Sequence, residues 1–147
     1  MSHYLYISSS ECEYFQDVDY ATDRYQVNLP HEIKLDENSN YQLCLVEAEL
    51  DKKIRNVYKT KDKEFGAYLG CDLVKTSFVE QGFYPFLRKI IFKKSTKYSE
   101  YFDRIYIDLV PHLKSIKIFN IYITSCEYTV APYGDNTFYL LLHLKKI

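Results

Sequence analysis

Residues 69–92 read LGCDLVKTSFVEQGFYPFLRKIIF. Two apolar runs flank a Gly-Phe-Tyr-Pro break, and each carries one charge, Asp72 in the first and Arg88 in the second. Asp and Arg are rarely fully buried unless paired. The stretch therefore predicts two strands in which Asp72 and Arg88 meet across the sheet, reach a second subunit, or turn to solvent. The first of these is the primary expectation.

Strand patterning continues on both sides. Residues 3–8 alternate, with Leu5 and Ile7 on one face and Tyr4 and Tyr6 on the other. Residues 8–22 form a polar connection that Tyr14 and Phe15 pin to the body. Residues 23–29 alternate cleanly, Tyr25, Val27 and Leu29 facing in, and Pro30 is expected to end the ladder. DENSN at 36–40 is a turn by composition. YQLCLVEAEL at 41–50 is apolar on both faces in its first half, as a central strand should be, and although Leu, Glu and Ala in its second half also allow a helix, the neighbouring strands favour strand.

Beyond the opening stretch, which supplies strands at 66–75 and 84–93, residues 94–101 read as a polar connection. Residues 103–110 alternate through Ile105, Ile107 and Leu109 to Pro111. SIKIFNIYITS at 115–125 changes apolar phase, from Ile116 and Ile118 to Phe119, Ile121 and Ile123, so a bulge is expected near 118–120. YGDN at 133–136 is a turn signal, and residues 137–145 close the chain with Phe138, Leu140, Leu142 and Leu144 inward.

Eight strands without a convincing helix, in 147 residues lacking a linker, predict one all-β domain. The expected architecture is a single jelly-roll β-sandwich of about eight antiparallel strands in two sheets, the first strand lying beside the last. An up-and-down barrel is the fallback, and the long 9–22 and 51–65 connections argue against it. Sixteen Tyr and no Trp among 17% aromatic residues lean the same way.

Composition narrows function mainly by exclusion. Nineteen basic against twenty acidic residues leave no net field to recruit nucleic acid or membrane. No apolar run approaches the roughly 20 residues of a membrane helix. Cys12, Cys44, Cys71 and Cys126 form no Cys-x-x-Cys pair, and His3, His31, His112 and His143 are too scattered for a zinc site. The N-terminus lacks a signal-peptide pattern, so reduced, mostly buried thiols in an intracellular setting are expected.

Glu47 and Glu49 share a strand face and read as a solvated strand end rather than an acid–base pair. Ser8–Ser10 has no nucleophile-elbow glycine pattern, and four glycines leave no phosphate-cradling loop. Neither an enzyme nor a cofactor is expected. The basic run Lys52, Lys53, Arg55, Lys59, Lys61 and Lys63, with Tyr58 and Phe65 nearby, is a possible contact loop for phosphates. Asp51, Asp62 and Glu64 dilute it towards a solvated loop. Tyrosine-rich strand faces could stack on sugars, but the absence of Trp favours their packing between the sheets or against a neighbouring subunit.

The pieces YLYISSS, YFQDVDYATDRYQVNLPHEIKL, YQLCLVEAEL, GCDLV followed by YPFLRKI, and SIKIFNIYITS with APYGDNTFYLLLHLK stand in the order found in one family. Together they span nearly the whole chain, which resembles the penton (minor capsid) proteins of Polinton/Maverick elements and adintovirus-like viruses. It departs from them at Tyr41, where Trp is usual, and in the Lys-rich loop after Leu50. The resemblance implies a homopentamer plugging each icosahedral vertex among double jelly-roll major capsid proteins, in a virion assembled inside the host cell. The alternatives are a carbohydrate- or receptor-binding jelly roll acting as a monomer or trimer, and, more remotely, a small enzyme.

Overall fold

A computed structural model of the chain describes residues 2–16, 22–50, 64–79, 82–93, 98–125 and 137–147. The strands are β1 (Ser2–Ser8), β2 (Cys12–Gln16), β3 (Thr22–Lys34), β4 (Tyr41–Leu50), β5 (Glu64–Cys71), β6 (Ser77–Val79), β7 (Gly82–Tyr84), β8 (Phe86–Lys93), β9 (Tyr98–Tyr101), β10 (Ile107–Asp108), β11 (Ser115–Ser125) and β12 (Phe138–Lys146). One sheet runs β1-β12-β4-β10 with β9 also on β4, the other runs β2-β3-β11-β5-β8, and β6 and β7 form a separate hairpin.

β9 and β10 lie along the same side of β4, as two pieces of one strand. With β2 and the β6–β7 hairpin set aside, eight antiparallel strands remain. First pairs with eighth (β1·β12), second with seventh (β3·β11), third with sixth (β4·β9/β10) and fourth with fifth (β5·β8). This nested pairing is a long hairpin rolled into two sheets, the jelly-roll topology. The fold is the expected one.

Alternation builds the core. Leu5 and Ile7, Tyr25 and Val27, Phe119, Ile121 and Ile123, and Leu140, Leu142 and Leu144 are all buried between the sheets. Each such side chain contributes about 1.5–3 kcal/mol when withdrawn from water. β4 is buried on both faces in its first half, Leu43 and Leu45 towards the main core and Cys44 and Val46 under Tyr106, and the strand then bulges. Leu142 faces Leu45 but Leu141 faces Glu47, so Val46 is an extra residue. The inward phase then changes from Leu43 and Leu45 to Ala48 and Leu50.

Pro30 does not end β3. The register jumps from Asn28↔Ile118 to Ile33↔Ile116, so the additional residues, Pro30 among them, bulge where no ladder bond needs its missing N–H. The irregularity expected at 118–120 thus falls one step earlier, and its extra residues belong to the partner strand. Ile118 is left exposed between buried Ile116 and Phe119.

Other boundaries also move. The expected 8–22 connection contains a 3-10 turn (Ser9–Glu11) and β2, which adds an edge strand to β3 and packs Tyr14 on Tyr25. The expected connection at 94–101 contains β9. Of residues 103–110 only Ile107–Asp108 is strand, and Ile105 is exposed. After Phe102, whose N–H bonds Val46 O, the chain leaves the ladder and arches outward, so the alternation has no partner strand to act on. β5 stops at Cys71, and β8 starts after Pro85, whose carbonyl accepts from Cys71 N–H at 2.9 Å. Gly70 lies under that crossing, where a Cβ would sit 2.9 Å from the Pro85 carbonyl oxygen. The Gly-Phe-Tyr-Pro break itself is half of the β6–β7 hairpin.

Candidate interaction surface

The outer face of the first sheet is unusual for a water-facing surface. Tyr4 and Tyr6 from β1, Tyr139 from β12 and Tyr101 from β9 project from it, each at least half exposed. Their alternation puts them opposite Leu5, Ile7, Leu140 and Phe102, which face the core.

Between these tyrosines lies a second, small core. Cys44, Val46 and Leu141 are buried on the outer side of the sheet with Tyr106 packed on them. The arch after Phe102 makes this possible. Phe102 points inward, while Tyr106 folds back over the outer face. Its hydroxyl lies 2.7 Å from His143 Nδ1. His143 stacks on Tyr4, with ring centroids 4.5 Å apart. Arg104 Nη2 donates to the Tyr4 hydroxyl at 3.1 Å, and Lys145 Nζ lies 4.7 Å above the Tyr106 ring. Among the described residues neither Arg104 nor Lys145 has an ion-pair partner. They lie on ring faces, which attract cations without neutralising them.

The electrostatics follow. Burial, then the charges of Arg104 and Lys145, hold His143 below its ordinary value of 6.5. Hydrogen bonds to the Tyr4 and Tyr106 hydroxyls raise Arg104. Burial pushes the Cys44 thiol up. A histidine depressed on folding takes its proton first in the unfolded chain, so its contribution is complete above about pH 6.5 and falls as pH drops below that. Urea unfolding at about pH 5 should therefore show a lower midpoint than at about pH 7.5, and His143→Gln should narrow the gap. An unchanged gap would place the pH sensitivity elsewhere.

Asp72 and Arg88 are not brought together. The Asp72 carboxylate accepts from Asn120, at 2.9 Å from the backbone N–H and 2.8 Å from the side-chain amide, while Asp72 N–H donates to Asn120 O. Arg88 stands opposite Leu69, donates to the Asp103 carbonyl at 2.6 Å and covers the Phe102 ring at 4.6 Å. The expected pairing within one subunit fails for a geometric reason. β5 lies between β11 and β8, so Asp72 leans to one neighbour while Arg88 crosses from the other to the opposite sheet.

The basic run Lys52, Lys53, Arg55, Lys59, Lys61 and Lys63 lies outside the described residues, as do Tyr58 and Cys126. Cys12, Cys44 and Cys71 are free thiols. Burial pushes Cys12 up to about 11 and Cys71 well above the usual thiol range. Glu47 and Glu49 are half-buried on the tyrosine face, opposite Tyr101 and Ser99.

At the end of the sandwich where the chain terminates, a cleft of about 730 Å³ lies among Leu35, Tyr41, Pro111 and Ile147. Two ion pairs stand at it, Lys146 with Asp36 at 2.7 Å and Lys75 with Asp108 at 3.8 Å. Among the described residues no three His, Cys, Asp or Glu side chains stand close enough to hold a metal ion, and no helix is long and apolar enough to cross a membrane.

The tyrosines of β1 are evident in the sequence, but the centre of this surface is not. Alternation puts Arg104 and Tyr106 on a regular strand, and His143 stands alone among scattered histidines. The signal that does exist is YQLCLV, whose Cys44 and Val46 require a cover on the outer face. Protein-family models, curated proteins and solved structures returned no match to this chain.

Proposed function

We propose that the chain is a structural capsid protein that fills the five-fold vertices of an icosahedral shell built from double jelly-roll major capsid proteins, five copies to a vertex. It acts in the virion capsid, assembled inside the host cell. The observation that carries this reading is the nested strand pairing combined with a broad outer face of exposed tyrosines. A closed ring of identical subunits needs two different complementary surfaces on each copy, and a sandwich has unlike faces and edges to offer for that purpose. Tyrosine is enriched where protein meets protein. The family resemblance supports the same role.

Light scattering on the purified protein, alone and with the shell protein, tests it. The expected mass is near five times 17.6 kDa, in solution or at the vertices of the assembled shell. A protein that stays monomeric in both settings and binds glycans on an array would overturn the proposal in favour of a carbohydrate- or receptor-binding module.

A further inference from the structure

On the tyrosine face Arg104 and Lys145 have no carboxylate partner among the described residues, Glu47 and Glu49 of the same face pairing with neither, and the same chain carries unpaired carboxylates elsewhere. Residues 2–16 contain no Lys or Arg. Glu11, in the turn before β2, and Glu13, on β2, are exposed, and their carboxylates have no hydrogen-bond or ion-pair partner among the described residues. Arg24, on the neighbouring strand β3 opposite Phe15, is engaged with the Phe15 ring at 4.2 Å and Asn120 at 3.2 Å. The free carboxylates belong to the edge of the second sheet, and Arg104 and Lys145 to the outer face of the first.

We infer that the tyrosine face is the docking surface for a second copy of this chain, whose Glu11 and Glu13 supply the carboxylates that Arg104 and Lys145 lack. The inference rests on the vertex reading and names its contact. Two unlike surfaces on each subunit produce a head-to-tail interface, the type that closes into a ring. Tyr6 and Tyr101 supply large, rigid apolar area at little entropic cost, in the manner of interface anchors. The unmatched charges then set register and exclude wrong partners, since like charges brought together across an interface are costly. Arg104 is held in place for this role by the Tyr4 hydroxyl, so little side-chain freedom is lost on docking.

Native mass spectrometry over a concentration series, on the protein alone and with the shell protein, reads the inference. Arg104→Glu and Glu13→Lys should each raise the concentration for half-assembly about tenfold or more, and the two reversals combined should recover most of the loss. Tyr6→Ala guards against misfolding. That side chain is 77% exposed, so the variant should keep the wild-type unfolding midpoint while also weakening assembly. If the wild type reaches five chains and all three variants assemble as it does, or if the double reversal restores nothing, this docking surface is wrong and the vertex reading stands. If the wild type never exceeds one chain in either setting, both fall together.

Discussion

Phe138→Ala is expected to lower stability by about 3–5 kcal/mol, a drop in Tm of about 10 °C for a domain of this size. Phe138 is the first residue of β12 and is fully buried. Its ring meets Tyr25 edge to face, with centroids 4.7 Å apart, and so ties β12 of one sheet to β3 of the other. Its backbone N–H donates to Ser9 Oγ at 2.9 Å, which joins the same point to the turn between β1 and β2. Truncation leaves a ring-sized void between two sheets that cannot collapse without breaking ladder hydrogen bonds, so the cavity cost adds to the transfer cost. Phe138→Leu should recover more than half of the loss. Thermal unfolding followed by circular dichroism decides, and a loss under about 1 kcal/mol would mean that the sheets close over the void.

The inward position of Phe138 is legible in the amino-acid sequence because its strand alternates without interruption to Leu144. The same holds for β1 and the first half of β3. Period-two burial is a local signal, and where a strand pairs along its length the signal and the fold agree. The nested pairing follows from strand count and connection length, since few two-sheet arrangements of eight antiparallel strands avoid crossed connections. Bulges are harder to place. The phase change in β11 is visible, but its extra residues belong to β3, where Pro30 gives a misleading stop. Pairing is a property of two strands, and one of them alone shows only that an irregularity exists.

The arch over the first sheet is illegible for a related reason. Ile105, Ile107 and Leu109 alternate as a strand would, yet Ile105 is exposed and Tyr106 carries the useful burial. The deciding residue is Val46, the bulge residue of β4, far away in sequence. With Cys44 and Leu141 it forms apolar surface on the outer side of the sheet, and Tyr106, from the segment that leaves the ladder after Phe102, covers it. Tertiary demand overrides local alternation here, and the candidate surface exists as a consequence.

Asp72→Ala is expected to cost about 2–3 kcal/mol, and Arg88→Met about 1 kcal/mol. The first change strips Asn120 of both acceptors at once, leaving a half-buried backbone N–H and amide without partners beside the β11 bulge. The second removes one hydrogen bond to the Asp103 carbonyl and the contact with the Phe102 ring, but a methionine keeps much of the apolar cover over Phe102. Because the two side chains share no partner, the double variant should equal the sum of the singles within about 0.5 kcal/mol. A coupling above about 1 kcal/mol in the isolated subunit would restore the direct pairing that the strand order denies. Coupling that emerges only after assembly would instead place Asp72 of one copy against Arg88 of the next. The cycle, run at low and at high protein concentration, separates a residue that fixes strand register from one that fixes a neighbour. The contacts within one subunit already assign Asp72 to β11 and Arg88 to closing the edge between β8 and the opposite sheet. An inward-pointing cation on an edge strand also discourages unwanted pairing along that edge.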